Sequence, residues 1–377
     1  MTGNNFLPAP IASLSWRVIL LLTLIGGFGA IILYSAAGGN ARPWAASHLL
    51  RFSIFLLLAI GLSRIGERSW RAIALPGYAL VLILLIVVEL AGVVGGGSQR
   101  WVDLGFIRLQ PSELMKLFIV LALARFFDML PAGEIRRWNA IWPPAVLIGF
   151  PALLVILQPD LGTALMIVAG GVTVMFLAGL PLRLFIGAGA ALTLIAPLSY
   201  FFLLHDYQRK RVMIFLDPET DPLGAGYHIT QSKIAIGSGG LFGKGFLNGT
   251  QSHLDYLPEG HTDFVFATMA EEWGFAGGVF VIGCFLILFR WGMNVAADAT
   301  TRFGRLTAAG LTSTIFFYFT INLMMVMGLA PVVGIPLPLV SHGGTAMLTV
   351  MLCIGIIMSI ERAQKRSGAL TKGLATP

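Results

Sequence analysis

The chain has 377 residues, of which 56% are hydrophobic and only 11% charged, with a mean hydropathy of +0.84. A composition this apolar excludes an ordinary soluble domain, which needs polar surface to face water, and points to an integral membrane protein. The 25 basic and 18 acidic residues give a net charge of +7, but they are scattered through the connections between apolar runs; without a basic stripe, nucleic-acid binding is excluded and membrane orientation explains the charge.

A helix needs roughly 20 apolar residues to cross hydrocarbon, and by that measure the apolar runs and their breakers predict about ten spans. They fall near residues 14–37, 45–63, 72–94, 112–127, 142–158, 161–180, 184–204, 264–289, 306–330 and 343–360. The expected fold is therefore all-α and polytopic, one membrane domain over residues 1–377. The first run is long and has Arg17 beside Trp16, so it reads as a retained anchor and not as a cleavable signal. The connection at 95–116 mixes glycines with Trp101, Phe106 and Arg108, as an amphipathic segment lying in the membrane interface would. Runs five and six flank "LQPDLGT", whose Pro159 and Gly162 predict a helical hairpin, with Asp160 as a turn or N-cap residue. The connection at 205–263, between spans seven and eight, is long enough to be functional in its own right.

Basic residues set the direction. Arg64, Arg68, Arg71, Arg125, Arg136, Arg137, Arg183, Arg290, Arg302 and Arg305 follow even-numbered spans, as do Arg362, Lys365, Arg366 and Lys372 near the C-terminus. That phase places both termini in the cytoplasm, with residues 361–377 as a cytoplasmic tail and the long loop outside. Cys284 and Cys353 lie in apolar runs, without redox or metal spacing.

Five ionisable groups crowd into "LPEGHTDFVFATMAEEWGF" at 257–275: Glu259, His261, Asp263, Glu271 and Glu272. Asp263 stands at the N-terminal end of the eighth span, where the helix dipole favours an anion and simple capping is one reading. On a 3.6-residue helix Glu271 falls within about 80° of Asp263, so both are expected to border one cavity, with Glu272 pointing away. Capping explains neither Glu271 nor the nearness of Glu259 and His261, which favours a site at the membrane surface. Glu113 and Lys116, three apart in "QPSELMKL", are helical neighbours. They form either a pair inside a cavity, offsetting an insertion cost of about 2.5–3.5 kcal/mol per charge, or an interfacial pair reaching the headgroups. Glu89 poses the same choice nearer the end of its run. "GSGGLFGKG" fails as a nucleotide loop, because Ser238 stands where glycine is required and Gly245 follows the lysine. Lys244 and exposed N–H groups there still suit an anion, a flexible turn being the other reading. Arg209 and Arg211 in "YQRKR" suit bidentate phosphate contacts, or are simply solvated.

"GSQRWVDLGFIRLQPSELMKL", "QPDLGTA", "YQRKRV", "IAIGSGGLFGKGFLNGTQS", "LPEGHTDFVFATMAEEWGFAG" and "GLAPVVGIPLPLVSHGGT" occur in this order. Together they resemble the shape, elongation, division and sporulation family, most closely its rod-shape-determining branch. One departure is His342, where the family pattern usually has Tyr. The resemblance implies a peptidoglycan glycosyltransferase of the bacterial inner membrane that polymerises lipid II during elongation. It also implies a class B penicillin-binding protein as crosslinking partner, membrane lipids around the chain and other elongation-complex proteins nearby. It makes Asp263 the catalytic aspartate, and Glu113 and Lys116 a pair lining the central cavity. Displacing a diphosphate by a sugar hydroxyl needs a base and cations, so Asp263 is expected to take the proton. Arg209, Arg211 and Lys244 are expected to hold the diphosphate, while His261 and Glu271 complete the substrate-binding set. A divalent cation, Mg2+ or Mn2+, is compatible with one or two carboxylates plus phosphate oxygens; no metal ligands are named by spacing, and no organic cofactor is expected. A lipid II flippase, a membrane scaffold and the family's division paralogue are the alternatives.

Overall fold

The computed structural model describes residues 14–95, 98–103, 108–131, 133–202, 206–221, 224–254, 256–257 and 259–374. Among these, ten helices have 16 residues or more. In chain order the first seven are α1 (Trp16–Ala36), α2 (Trp44–Leu62), α3 (Glu67–Ala91), α4 (Pro111–Met129), α5 (Trp142–Leu157), α6 (Leu161–Leu177) and α7 (Leu182–Phe202). Three shorter helices follow, α8 (Asp206–Leu216), α9 (Ala225–Ser238) and α10 (Thr250–His253), and then α11 (Val265–Asp298), α12 (Arg302–Val326) and α13 (Gly344–Leu374). Seven stretches are long and apolar enough to cross a membrane: α1, α2, α3, Trp138–Leu157, α11, α12 and α13. The chain is thus a multi-pass membrane protein. Helix α4 misses that class because it carries Glu113, Lys116, Arg125 and Asp128, yet most of it is buried inside the bundle.

Helix α12 is the central post, packed against α4, α6, α11 and α13, while α2 lies along α13 and α3 along α4. Leu57, Leu80, Leu192 and Leu286 point outward as the lipid-facing band. Lipid tails are as apolar as leucine, so helices associate by close packing and not by escaping water. Small residues make that packing tight. A side chain at Gly310 of α12 would strike Val120 and Val174, and one at Gly171 of α6 would strike Ile148.

Short strands occupy described parts of the 95–116 connection. Strands β1 (Val93–Gly95), β2 (Ser98–Asp103) and β3 (Arg108–Leu109) form a small antiparallel sheet in the order β1-β2-β3. Valine and tryptophan favour extended backbone on these strands. Arg100 of β2 donates to Gln158 O at 2.9 Å, bonds Pro159 O and stands 3.7 Å from Asp160. Asp160 in turn caps α6, accepting from Thr163 N at 3.1 Å. The sheet therefore clasps the tip of the α5–α6 hairpin.

Helix α11 is broken at Gly274, whose φ of 63° and ψ of −159° leave the helical region. The residues of the "GSGGLFGKG" motif fill the break. Phe275 N and Ala276 N donate to Gly240 O and Leu241 O at 2.9 and 3.1 Å, while Lys244 N and Gly245 N donate to Glu271 O and Glu272 O at 3.0 and 3.1 Å. A regular helix would pair these four α11 groups with one another. Glycine is required on both sides: a Cβ at Gly274 would lie 2.3 Å from Gly243 N, and one at Gly243 would lie 2.0 Å from Glu272 O.

Candidate active site

Asp263 sits on the turn just before α11, not within the helix. Residues 259–264 curl tightly, with Glu259 in the left-handed region at φ 54° and Phe264 N bonding Glu259 O at 3.2 Å. Thr268 of α11 ties the turn down through Gly260 O at 3.0 Å. Three consecutive carbonyls are then fixed from the far side of the bundle. His261 O accepts from His342 N at 2.9 Å, Thr262 O from Ser341 Oγ at 2.5 Å, and Asp263 O from Asn322 Nδ2 at 2.8 Å. Asn322 also holds Ile335 O at 2.7 Å, so α12 joins the turn to the segment that precedes α13.

With its backbone held so firmly, the Asp263 carboxylate is left without a hydrogen bond among the described residues. Its Oδ2 would be in ordinary contact, at 3.5 Å, with a Cβ on Gly334, whose φ of 72° is what favours glycine there. Asp263 does not cap α11; no side chain does. Burial, assisted by the nearby Glu259 carboxylate, pushes its pKa up from 3.8 to about 6. Such a carboxyl is mostly ionised at neutral pH yet basic enough to accept a proton, the balance a general base requires.

The surrounding groups come from distant parts of the chain. His261 stacks on Trp44 of α2 with ring centroids 4.0 Å apart and planes 9° from parallel. Its ring lies 6.3 Å from that of His342. Burial lowers the His261 pKa against an opposing pull from Glu259, and burial followed by Arg51 and His261 lowers that of His342. Both imidazoles are therefore mainly neutral at pH 7. His342 Nε2 is 3.0 Å from Ser47 Oγ and 3.3 Å from Arg51 Nη1, both on α2.

The other residues singled out from sequence lie elsewhere. Glu271 does not share a cavity with Asp263: it accepts from Lys244 Nζ at 2.7 Å, Thr250 N at 2.8 Å and Gln251 N at 3.0 Å, with its side chain fully buried. The pairing occupies Lys244 as well, so the lysine clamps its loop and is not presented to a diphosphate. Glu272 is also buried, accepting from Ser35 Oγ at 2.5 Å with His253 3.7 Å away. Arg209 donates to Phe201 O at 2.7 Å, and neither it nor Arg211 is joined by a hydrogen bond or ion pair to the Asp263 turn among the described residues. The angular argument failed for Glu271 because Asp263 precedes the helix and the redirected 240s segment claims the glutamate first.

Glu113 and Lys116 are 2.6 Å apart, with the lysine side chain only 1% exposed. Tyr318 of α12 bonds Glu113 through its hydroxyl and lays its ring 4.3 Å from Lys116 Nζ. In this arrangement the pair joins α4 to α12 and does not face open space. Glu89 is exposed near the end of α3. Four residues at the site were not singled out from sequence: Trp44, Ser47, Arg51 and Asn322. Arg51 carried a usable signal, being the only charge in the α2 stretch "WAASHLLRFSIFLLLAIGL". An ionisable group within an apolar span is costly and so commonly functional.

Comparison with known proteins identifies the family. The model of the FtsW/RodA/SpoVE cell cycle proteins matches residues 13–366. The chain belongs to that family. It is 45% identical over 353 residues to the peptidoglycan glycosyltransferase MrdB of Escherichia coli K12, an alignment covering 92% of this chain and 93% of that one. Among solved structures it resembles a chain from a peptidoglycan synthase complex that coordinates polymerization and crosslinking, with a TM-score of 0.80 and 33% identity over 93% of this chain and 98% of the other. It also resembles the rod shape determining protein RodA of Thermus thermophilus, with a TM-score of 0.70 and 29% identity over 93% and 97% of the two chains.

Proposed function

We propose that this chain is a peptidoglycan glycosyltransferase that polymerises lipid II, with Asp263 as general base. The observation that carries the reading is the carboxylate itself: its backbone is held at three successive carbonyls, its acidity is weakened by burial, and no donor among the described residues satisfies it. A merely structural aspartate would have used its oxygens. In the reaction the hydroxyl of an acceptor sugar attacks the anomeric carbon of the donor as the bond from that carbon to diphosphate breaks. The electron pair leaves with the diphosphate oxygen, and the proton passes to Asp263. One displacement inverts the anomeric centre. General-base assistance of this kind contributes roughly 10²–10⁴-fold.

The reading includes a location and a setting. The basic residues that follow even-numbered spans support cytoplasmic termini in a bacterial inner membrane, and hence an outward-facing Asp263 turn. A class B penicillin-binding protein fits as partner, since a structural relative comes from a complex that couples polymerization to crosslinking. A divalent cation belongs to the proposal too. Glu259, exposed beside Asp263, and the diphosphate's own oxygens are donors of the hard type that Mg2+ or Mn2+ prefers, and the ion would neutralise leaving-group charge. A flippase draws least support, because the Glu113–Lys116 pair is packed beneath Tyr318 and lines no open passage.

The deciding experiment incubates purified protein and its penicillin-binding partner with lipid II and resolves glycan products on a gel. Wild type gives polymer and folded Asp263→Asn gives none; equal polymer from both removes Asp263 as the base. A chelator added to the wild-type reaction is expected to slow it, and undiminished turnover would remove the cation.

A further inference from the structure

Diphosphate displacement leaves concentrated negative charge behind, yet the cations expected to meet it are engaged or distant. Lys244 is neutralised by Glu271, and Arg209 and Arg211 have no bond to the Asp263 turn among the described residues. One face of α2 supplies another candidate. Trp44, Ser47, His48 and Arg51 stand at i, i+3, i+4 and i+7, so they share that face. Trp44 stacks on His261, two residues before Asp263, and Ser47 and Arg51 both meet His342, whose own N–H bonds His261 O. The α2 face is thus linked to His261 twice, directly through Trp44 and by way of His342, two residues before the catalytic carboxylate.

Arg51 is half-buried and has no acidic partner among the described residues. A guanidinium only donates, so where its Nη1 bonds His342 Nε2 at 3.3 Å the ring nitrogen is the acceptor and the imidazole proton sits on Nδ1. That contact engages Nη1, and among the described residues the other N–H donors of the guanidinium have no hydrogen bond. Beside it His48 is 1% exposed and neither of its ring nitrogens has a hydrogen bond, although the backbone of Gly26 and Ser341 lies close. Taking a guanidinium partly out of water without a counter-ion is costly. An anion that arrives with the substrate would resolve the cost.

We propose that Arg51, braced by His342 and Ser47, binds the diphosphate of the polyprenyl carrier beside Asp263. The proposal rests on the lipid II reading above. Its planar fork matches two phosphate oxygens at once, and that match strengthens as charge builds on the departing oxygen. His342 fixes where the fork points without competing for the anion, because a neutral ring nitrogen facing the guanidinium adds no negative charge.

The test uses the full chain in nanodiscs of neutral lipid and titrates polyprenyl diphosphate, with phosphatidylglycerol as the competing source of phosphate. A charge-assisted hydrogen bond is lost in Arg51→Met, so diphosphate affinity should fall by about 10- to 100-fold. Arg51→Lys should retain part of it, and His342→Phe, which removes the brace but keeps the charge, should weaken binding severalfold. Asp263→Asn should bind diphosphate at least as well as wild type while making no polymer. The idea is overturned if Arg51→Met, melting like wild type, keeps wild-type diphosphate affinity, or if it loses only phosphatidylglycerol, which would assign the guanidinium to a membrane headgroup. Should Arg51→Met not fold, wild-type affinity in a folded His342→Phe would overturn it equally. Polymer from Asp263→Asn alongside lost diphosphate binding in Arg51→Met would sink the general-base reading and leave this one standing.

Discussion

The substitution that abolishes activity should also make the protein more stable. Folding raises the Asp263 pKa from 3.8 to about 6 through burial and the Glu259 charge. Below the lower value the side chain is protonated in folded and unfolded chains alike, and no penalty exists. As pH rises the unfolded chain gives up its proton first, so the folded state loses stability progressively and carries the full penalty above about 6. At about 1.4 kcal/mol per pKa unit the ceiling is roughly 3 kcal/mol. Asparagine removes the charge but leaves an amide with unmatched donors, costing about 1 kcal/mol, so a net gain near 2 kcal/mol is expected at neutral pH. The assay is thermal unfolding of purified wild type and Asp263→Asn in one detergent at one scan rate, near pH 7.5 and near pH 4.5. The variant should melt a few degrees higher at the first pH, with most of the difference gone at the second. A variant no more stable than wild type near pH 7.5, or a gap that survives acidification, would refute the claim that this carboxylate is held against its own solvation.

The same titration governs catalysis, where lipid II polymerisation should fall about tenfold for each pH unit below about 6 and level off above it. Glu259→Gln should carry that limb to lower pH, and an unmoved limb would show that Glu259 does not act on the base. Gly274→Ala must place a side chain at φ +63° and 2.3 Å from Gly243 N. It should cost at least about 2 kcal/mol and open the 239–250 segment to limited proteolysis; unchanged cleavage would mean that the kink does not hold that segment. Lys116→Met strands Glu113 in the bundle and should destabilise by about 3–5 kcal/mol, most of it recovered in Lys116→Met/Glu113→Gln. If the double variant melts no better than the single, the pair is not what holds α4 to α12.

Run length made the transmembrane scaffold readable, because a helix that crosses lipid must satisfy its own backbone and advertises itself as a long apolar stretch. The turn at Pro159 and Gly162 marked the α5–α6 hairpin for the same local reasons. What escaped were features decided by partners far along the chain. Lys244 looked like a free cation because nothing near it in sequence is acidic; its counter-charge, Glu271, arrives only when the 240s segment enters the break in α11. Gly274 gave no hint of that break, since glycine inside an apolar run is ordinary. Asp263 could be identified through its motif, but its three backbone anchors come from α12 and the segment before α13. Arg51 was visible as a lone charge, and only the fold shows which loop it meets.

The broken helix also determines how mechanical disturbance travels. Because main chain is stitched to main chain across the gap, the first turns of α11 and the glycine-rich segment are joined by four backbone hydrogen bonds, while the turn bearing Asp263 is pinned separately to α12 and to the segment before α13. A shift of the glycine-rich segment would therefore be felt first by the start of α11, and the Asp263 turn would resist it through its own three anchors.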